Sequence, residues 1–469
     1  MAWRPIPMTP AAWVTTISTG SIACSRIYAQ AAQILTFVLA ARVLGPIDFG
    51  TFALVQAVAL GMILFSSAGW RETAIVRPSL SPFAFAFAIG SGLLSALLLG
   101  IVAIGMLTLA GDPDVILLIM CFAISVPMSS TAIFLEGLAL RNERVQFYAM
   151  GAIIAETVGV IVTLVGLAMG LGLAALGLAR IGMAVLYLLG GIYAAQPSRP
   201  RIGRRRTTWR HIFVFSRGIM LARAWDYFNN NTATLVAGFL LGPAAAGIYR
   251  AASRLVAAAF EAITEAARVI TWRGIITRNE RINDIEASVL LWKIWTIAFP
   301  VCFGLALTGP DLVRIALGAE WAAAGLVVSL LAFRRLGLSS YIVLEPILAS
   351  HNKTARAGTV SKYMASISLV FILFCAPFGL LGLTTGQVAA GIIGGGLILY
   401  ELHRTTALSL PLIFAAAWRP LVASIIMCIG ILLGEQAWGT AANGLVLSLL
   451  VGFSTYIIMT IILTHKNWK

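Results

Sequence analysis

Charged residues are scarce in this chain. Lys, Arg, Asp and Glu make up 11% of its 469 residues and hydrophobic types 60%, and the mean hydropathy is +0.94. An average soluble domain carries about 25% charged residues and leaves most of them at its surface. The scarcity of charge therefore excludes a soluble globular protein and indicates an integral membrane protein.

The residue types that mark a disulfide framework, a metal site or a catalytic centre are few and scattered. The four histidines lie in predicted loops or in the tail, without metal-ligand spacing and without a neighbouring nucleophile. The five cysteines lie singly inside apolar runs, where cysteine packs as a small apolar residue: Cys24, Cys121, Cys302, Cys375 and Cys428. We therefore expect no enzyme activity, no cofactor and no bound metal.

Apolar runs long enough to cross a bilayer, which takes about 20 residues, cover nearly the whole chain. They predict fourteen spans, at 17–41, 49–70, 83–110, 115–140, 147–169, 171–194, 212–241, 248–272, 287–308, 321–348, 363–381, 387–402, 411–433 and 444–463. These runs are too long and too continuous for the strands of a membrane barrel. Because lipid cannot hydrogen-bond an open backbone, the predicted fold is an all-α membrane protein.

The basic residues alternate between loops, and this pattern indicates the orientation. Every second loop carries the cations, and such loops stay in the cytoplasm: Arg71, Arg77, Arg141, Arg144, the segments 199–210, 273–281 and 353–362, and Arg404. Arg4 and Lys466 place both termini on the same side. The net charge of +15 is then mainly a topology signal and an attraction to anionic inner-leaflet lipids, so we expect no nucleic acid partner.

A motif of Leu, Gly and Pro followed by Gly and an aromatic residue occurs twice. The two copies are Leu44-Gly45-Pro46 with Gly50 and Phe52, and Leu241-Gly242-Pro243 with Gly247 and Tyr249. Their offset of 197 positions also pairs Arg26 with Arg223 and Arg71 with Arg268. The matched helices are six predicted spans apart. Because six is an even number, both helices begin on the cytoplasmic side, and the repeat is parallel. A parallel repeat predicts two lobes related by an axis along the membrane normal, with the substrate path between them.

The duplication divides the chain into four predicted parts. They are an N-terminal lobe of helices 1–6 at 1–195, a basic cytoplasmic linker at 196–211, a C-terminal lobe of helices 7–12 at 212–402, and two additional helices with a cytoplasmic tail at 403–469. The last two spans have no counterpart in the first half.

Polar residues at helical spacing form a stripe on the first span and another on the seventh. The stripes are Arg26, Gln30 and Gln33 in the first span, and Arg223, Tyr227 and Asn230, joined by Asp226, in the seventh. Spacings of three and four residues place each set on one helix face. Since a guanidinium at bilayer depth costs roughly 3 kcal/mol or more, we expect both stripes to face a hydrated cavity. The alternative is a polar seam that joins helices through hydrogen bonds.

The eighth span carries the densest set of charges. One stripe of this span holds Arg250, Arg254, Glu261, Glu265 and Arg268. The alternatives are an interfacial amphipathic helix and a span whose charges face water or one another. A membrane span is favoured, because without an eighth span the basic loops that follow it would be predicted on the outer side of the membrane. Other charges inside predicted spans are Glu156 in the fifth, and Arg334 and Arg335 in the tenth.

Both copies of the repeated motif resemble those of a known family. The segments are Ala-Arg-Val-Leu-Gly-Pro-Ile-Asp-Phe-Gly-Thr-Phe-Ala-Leu at 41–54 and Phe-Leu-Leu-Gly-Pro-Ala-Ala-Ala-Gly-Ile-Tyr-Arg-Ala-Ala-Ser-Arg-Leu at 239–255. They are similar to the corresponding motifs of Wzx-type polysaccharide repeat-unit flippases, which belong to the multidrug/oligosaccharidyl-lipid/polysaccharide (MOP) exporter superfamily. Where many of those proteins carry an acid shortly after an Asn in the seventh span, this chain has Asn231 followed by Ala233, with Asp226 earlier.

The resemblance implies a V-shaped, two-lobed helical transporter in the bacterial inner membrane. Its substrate would be an undecaprenyl-pyrophosphate-linked oligosaccharide, which it would move to the outer leaflet for capsule, exopolysaccharide or O-antigen synthesis. Its partner would be a polysaccharide polymerase or assembly machinery. The predicted cavity suits a pyrophosphate, which arginine binds strongly at low dielectric. The predicted cavity residues are Arg26, Arg223, Arg250, Arg254, Gln30, Gln33, Tyr227 and Asn230, and the candidates for coupling to a proton or sodium gradient are Asp226, Glu261 and Glu265.

Three other functions compete with this hypothesis. A lipid II flippase also has fourteen spans and essential arginines, and the sequence separates it poorly from a polysaccharide-unit flippase. A multidrug cation antiporter would favour a cavity dominated by acids and about twelve spans. A membrane glycosyltransferase, polymerase or ligase would need a large outer loop with candidate acids or histidines, whereas the predicted outer loops are all short.

The predicted topology can be tested by cysteine labelling. In a chain whose native cysteines have been replaced, Asp112→Cys is expected to react with an impermeant maleimide from outside the cell, because residue 112 lies in an acidic outer loop. Arg204→Cys is expected to react only in inside-out vesicles, because residue 204 lies in the basic linker. The reverse pattern would overturn the orientation.

Overall fold

The computed structural model describes residues 10–67, 69–76, 81–108, 111–196, 209–278, 282–351, 353–439 and 441–465. All regular secondary structure in these ranges is helical, and none of the residues in them forms a strand. The prediction of an all-α protein is therefore confirmed. Most of the predicted basic linker, from 197 to 208, lies outside the described residues.

Fifteen α-helices follow one another along the described chain. They are α1 (Pro10–Ser67), α2 (Trp70–Val76), α3 (Ser81–Thr108), α4 (Pro113–Arg141), α5 (Val145–Ala168), α6 (Leu173–Ala195), α7 (Trp209–Val236), α8 (Pro243–Arg278), α9 (Asp284–Ala316), α10 (Ala322–Leu338), α11 (Tyr341–Ser350), α12 (Thr354–Cys375), α13 (Gly379–Thr406), α14 (Leu410–Trp438) and α15 (Ala442–His465). A π-helical turn at Ala237–Leu241 separates α7 from α8.

The helices are long and apolar enough for a multi-pass membrane protein. Within the described ranges, ten segments qualify as membrane spans by length and composition, and two of them, Cys24–Val76 and Arg356–Thr406, run over 53 and 51 residues. Each of these two is longer than one crossing needs. The helices α7 and α8 are long but are not among the ten, because arginines and acids interrupt their apolar character. The count of fourteen spans stays a prediction.

Contact between helices divides the chain into two compact units. Unit 1 comprises Met1–Leu44 and Thr51–Ala224, and unit 2 comprises Gly45–Gly50 and Trp225–Lys469. In unit 1, α4 packs against α3 and α6 around Phe122 and Phe134. In unit 2, α9, α11 and α13 enclose Leu291, Leu344 and Ile398, while α14 and α15 pack on each other and on α9. The units differ from the predicted lobes in the segments 45–50 and 212–224, and unit 2 also includes the predicted additional helices at 403–469.

Both copies of the Leu-Gly-Pro motif break a helix and restart it. Gly45 has φ 68° and ψ 178° and kinks α1, while Gly242 has φ 94° and ψ 169° just before α8. These are conformations that residues with a side chain rarely adopt. Pro46 and Pro243 come next, and proline suits the first helical position because its missing N–H is not needed there. The kink at Gly45 falls between the two predicted spans at 17–41 and 49–70, and no loop separates them.

The two copies of the motif also pack against each other inside unit 2. A Cβ added to Gly50 would lie 1.8 Å from the carbonyl oxygen of Pro243, and a Cβ added to Gly247 would lie 2.1 Å from that of Pro46. The contact is reciprocal, since the offset that relates Pro46 to Pro243 also relates Gly50 to Gly247. The start of α8 thus crosses the segment 45–50 at a distance that only glycine permits.

Alanine at residue 50 is expected to destabilise the protein. Gly50→Ala would force the new methyl group into the Pro243 carbonyl, and overpacking of this kind costs at least about 1–3 kcal/mol. Thermal melting of the purified protein in detergent measures the loss. Gly396→Ala is the matched control, because a Cβ at this position of α13 meets nothing within 4 Å. Equal melting temperatures for both variants would contradict the close crossing.

Candidate functional site

A cluster of arginines and glutamates lies in unit 1 around the short helix α2. The Nη2 atom of Arg71 lies 2.7 Å from Oε1 of Glu136, and that of Arg223 lies 2.5 Å from Oε1 of Glu72. All four side chains are about one-quarter exposed. Arg26 also interacts electrostatically with Glu136. The cluster therefore holds three arginines and two glutamates, which neutralise most of the positive charge.

Two members of this cluster, Arg71 and Glu72, lie on α2 just after Gly69, which packs closely against α7. Gly69 has φ 75°, and a Cβ there would lie 2.8 Å from the Cβ of Ser216 on α7. Glu72, three residues after Gly69, contacts Arg223 on α7. Arg223 was among the predicted cavity residues, but nothing in the sequence indicates Glu72 as its partner. The two residues are 151 positions apart, and no helical period links them.

The three side chains of the polar stripe on α1 are exposed, and one of them also contacts a buried acid. Arg26, Gln30 and Gln33 all belong to the exposed class. The amide of Gln33 donates to Oε1 of Glu156 at 3.2 Å, and the hydroxyl of Tyr187 donates to the same oxygen at 2.9 Å. Glu156 is only 4% exposed. This end of the stripe therefore takes part in a polar seam among α1, α5 and α6, the alternative considered for the whole stripe.

The polar residues of α7 in unit 2 bond mostly to their own helix. The amide of Asn230 donates to the backbone oxygen of Asp226 at 2.9 Å, and that of Asn231 donates to the backbone oxygen of Tyr227 at 3.1 Å. Bonds of this kind satisfy polar side chains where water is scarce. Asp226 and Asn230 are exposed, and Asp226 interacts electrostatically with Glu345 on α11. Tyr227 is half-buried and interacts with Arg250.

Unit 2 contains a second group of arginines, on α8 and α10. Arg250 interacts electrostatically with Arg254 and with the tyrosines Tyr249 and Tyr227. Arg335 interacts with Arg334, Glu261 and Tyr249. Of the carboxylates that the structure describes, none lies within 4.0 Å of Arg250, Arg334 or Arg335. The side chains of Glu265 and Arg268, also on α8, lie outside the described residues.

A large apolar cavity of about 780 Å³ lies in the same unit. Its lining comes from four helices and includes Ala259 of α8, Pro300 of α9, Met427 of α14 and Phe453 of α15. The few polar groups in the lining are threonine and tyrosine hydroxyls. The two C-terminal helices, which have no counterpart in the first half of the chain, thus form one wall of an apolar site that borders the arginine-bearing helix α8.

The described residues contain no group of three His, Cys, Asp or Glu side chains that could hold a metal ion. The polar side chains described above in both units are guanidinium groups, carboxylates, amides and phenols. Such groups can bind an anion and a hydroxyl-rich molecule through charge-assisted and neutral hydrogen bonds.

Comparison with known proteins places the chain among transporters. A family described as "Polysaccharide biosynthesis protein" matches residues 38–325. The succinoglycan biosynthesis transport protein ExoT of Rhizobium meliloti (strain 1021) is 24% identical, over 93% of this chain and 90% of that protein. The lipid II flippase MurJ in an inward closed conformation has a TM-score of 0.75 at 13% identity, covering 96% of this chain and 99% of its own.

A second solved structure extends the likeness to multidrug transporters. An inward-facing transporter of the MATE family of the MOP superfamily has a TM-score of 0.55 at 14% identity, covering 82% of this chain and 95% of its own. At these identities the likeness to both structures shows the fold alone, and it confirms the predicted fold. All these proteins are named as transporters or flippases, which supports the prediction that the chain is not an enzyme.

The ion pair between Arg223 and Glu72 is expected to stabilise unit 1. Arg223→Glu and Glu72→Arg should each lower the melting temperature, because each places like charges side by side. The double variant should recover most of the loss, with a coupling energy of about 1–3 kcal/mol in a double-mutant cycle on thermal unfolding. The same exchange at Asp311 and Arg314, 3.6 Å apart with Arg314 56% exposed, should show almost no coupling. A coupling at 72 and 223 no larger than that of the control would contradict the pairing.

Proposed function

Because the chain belongs to the polysaccharide biosynthesis protein family, we propose that it is a flippase for lipid-linked oligosaccharides. The substrate is an undecaprenyl-pyrophosphate-linked repeat unit, moved by alternating access from the inner to the outer leaflet of the bacterial inner membrane. Both termini of the protein lie in the cytoplasm. The translocated unit feeds exopolysaccharide, capsule or O-antigen synthesis, and the polymerase or assembly machinery that consumes it is the expected partner.

The observation that carries this proposal is that two unlike sites in unit 2 share the helix α8. The arginines of α8 and α10 can bind a diphosphate, which carries concentrated negative charge. The apolar cavity bordered by Ala259, on the same α8, can accept part of a long hydrocarbon chain. A molecule with an anionic head and a polyprenyl tail matches both sites. A hydrophilic solute matches only the first of them.

The remaining predicted residues supply contacts and coupling in this scheme. Arg26 and Gln30 are exposed on α1 and are available to the head group and its first sugars. Arg223, Arg254, Gln33, Tyr227 and Asn230 complete the proposed set of substrate-binding residues. Asp226 and Glu261, with Glu265 outside the described side chains, are the proposed groups for coupling to a proton or sodium gradient. A carboxylate inside a membrane protein is a functional candidate by default.

The name of one relative favours a polysaccharide unit over the peptidoglycan precursor as the substrate. ExoT is described as a succinoglycan biosynthesis transport protein, and its match extends over most of both chains. The likeness to the lipid II flippase is one of fold. A cationic drug is the poorest match, because unit 2 presents arginines whose charge repels it.

Flipping can be measured with the purified protein in vesicles. A fluorescent lipid-linked oligosaccharide in the inner leaflet becomes accessible to an impermeant quencher when it reaches the outer leaflet. The wild-type protein is expected to transfer it, and Arg26→Ala and Arg250→Ala should each slow the transfer at least about tenfold through loss of a charge-assisted contact. Arg314→Ala is the control, since Arg314 is 56% exposed and pairs with Asp311.

The same variants can be tested in the cell. In a deletion strain, wild-type protein should restore polymer export and Arg250→Ala should not, although it reaches the membrane in equal amount. Accumulation of a lipid-linked oligosaccharide in the deletion strain would identify the repeat unit. Rescue of a strain depleted of its lipid II flippase would instead identify the peptidoglycan precursor as substrate, and efflux of cationic dyes without flipping would reject the proposal.

A further inference from the structure

We propose that the cytoplasmic end of α5 and α6 is a binding site for the phosphate head group of an anionic phospholipid, and that Arg144 is its cationic ligand. The site lies within unit 1, away from the residues assigned to the oligosaccharide substrate. Such a site can exist whatever the protein transports, because its ligand is a lipid of the surrounding bilayer.

The guanidinium of Arg144 is held against two aromatic rings. Its Cζ atom lies 4.9 Å from the ring centroid of Phe147 on α5 and 5.5 Å from that of Tyr193 on α6. The two rings also meet edge to face, with their centroids 5.6 Å apart. Attraction between a cation and an aromatic face holds the charge in place without neutralising it. Arg144 is therefore a positioned cation at the point where α5 and α6 come together.

Most of the hydrogen-bonding capacity of this guanidinium remains available to a ligand. Its Nη1 atom donates to the backbone oxygen of Gln196, directly after the end of α6. Among the described acceptors this oxygen is the only one that Arg144 reaches, and no described carboxylate lies within 4.0 Å of the side chain. An arginine has five N–H donors, and a phosphate can accept two of them side by side. A phosphate group is thus the complementary ligand.

Two apolar stripes lead away from this cation along the surface of unit 1. The exposed residues of these stripes next to Arg144 are Phe147, Met150 and Ile154 on α5, and Leu189, Ile192 and Tyr193 on α6. Spacings of three and four residues place each set on one helix face. Exposed apolar side chains on membrane-spanning helices are covered by acyl chains. A lipid whose chains lie along these stripes has its head group next to Arg144.

The lengths of the two helices place Arg144 at the level of the head groups. The helix α5 has 24 residues and α6 has 23, so each is about 35 Å long at a rise of about 1.5 Å per residue. This length slightly exceeds a hydrocarbon thickness of about 30 Å. Arg144 directly precedes α5 and Gln196 directly follows α6, so both lie where the acyl chains end. In the predicted orientation this end faces the cytoplasmic leaflet, whose anionic lipids attract arginine.

Capping of α6 accounts for only part of this arrangement. The side-chain amide of Asn142 donates to the backbone oxygen of Ala195 at 3.1 Å, beside the bond from Arg144 to Gln196. Two side chains of one loop thus satisfy carbonyls at the C-terminal end of α6. This capping needs one N–H of Arg144 and no aromatic contact. The exposed ring of Tyr193 beside the charge instead suits a lipid head group, because tyrosine is enriched at the membrane interface.

Glu143 supplies a test whose direction is opposite to that of Arg144. It precedes Arg144 in the chain, its side chain is exposed, and no described cationic nitrogen lies within 4.0 Å of its carboxylate. Its negative charge opposes an anionic lipid. Neutralising Glu143 should therefore strengthen binding of the lipid, whereas removing Arg144 should weaken it. Misfolding would weaken binding in both cases.

Native mass spectrometry of the purified full-length protein in detergent measures the binding of added phosphatidylglycerol. Arg144→Ala is expected to reduce the affinity for the first bound lipid about fivefold, the contribution of one arginine near an anionic membrane surface. Arg144→Lys should reduce it less, because lysine keeps the charge but loses the forked contact. Glu143→Gln should raise the affinity about twofold, since one opposing charge is removed.

Arg404→Ala is the matched control for the loss of one positive charge. Arg404 is an exposed arginine in the last turn of α13, also on the predicted cytoplasmic side, and it makes no cation–π contact with a described ring. This variant should bind phosphatidylglycerol nearly as well as the wild type. Phosphatidylcholine, which has no net charge, should bind equally to the wild type and to Arg144→Ala. Inorganic phosphate at the same concentration should not compete, because it lacks acyl chains.

Several outcomes would overturn the site. They are an unchanged affinity of folded Arg144→Ala for phosphatidylglycerol, an equal loss with Arg404→Ala, an equal loss with phosphatidylcholine, and weaker binding by Glu143→Gln. Competition by inorganic phosphate would assign the cation to a free anion and reject the lipid. Melting temperatures without lipid show whether each variant is folded. If Arg144→Ala does not fold, the direction of the Glu143→Gln shift decides.

Discussion

Lipid cannot solvate a charge, and this constraint accounts for how both units are built. A guanidinium among apolar helices needs a counter-ion or a ligand, because an unpaired buried charge is strongly destabilising. In unit 1, Glu72 and Glu136 supply the counter-ions for Arg223 and Arg71. In unit 2, Arg250 has Tyr249, Tyr227 and Arg254 as electrostatic neighbours, and no described carboxylate lies within 4.0 Å of it. The same side chain thus has a carboxylate partner in one unit and tyrosine and arginine neighbours in the other.

The helical fold could be predicted from the sequence because its cause is local. Apolar runs at 115–140, 147–169 and 171–194 correspond to α4, α5 and α6 within a few residues, since each helix satisfies its own backbone wherever it lies in the bilayer. The two spans predicted at 17–41 and 49–70 meet at a kink for an equally local reason. Pro46 can begin a helix directly after Gly45, which has φ 68°, so no loop separates them.

Side-chain partners could not be predicted in the same way. Helical spacing shows that Arg26, Gln30 and Gln33 share a face, but it does not show what that face meets. In the structure all three side chains are exposed, and Gln33 also contacts Glu156, 123 positions away. Acids such as Glu72, in a short helix between spans, follow no period at all. Tertiary packing decides these contacts, and only the internal repeat carries long-range information in a single sequence.

The repeat shows at which positions the backbone requires a particular residue type and at which it does not. In each copy of the motif a glycine takes a positive φ, a proline begins the helix, and a second glycine four residues later meets the other copy's prolyl carbonyl. These are requirements of the backbone, and both copies meet them with the same residues. The arginines related by the same offset are under no such requirement. Both interact electrostatically with Glu136, but Arg26 is exposed, whereas Arg223 is half-buried and pairs with Glu72. Equivalent positions in a duplicated scaffold can therefore acquire different electrostatic roles without any change in the helix crossing that holds the two copies together.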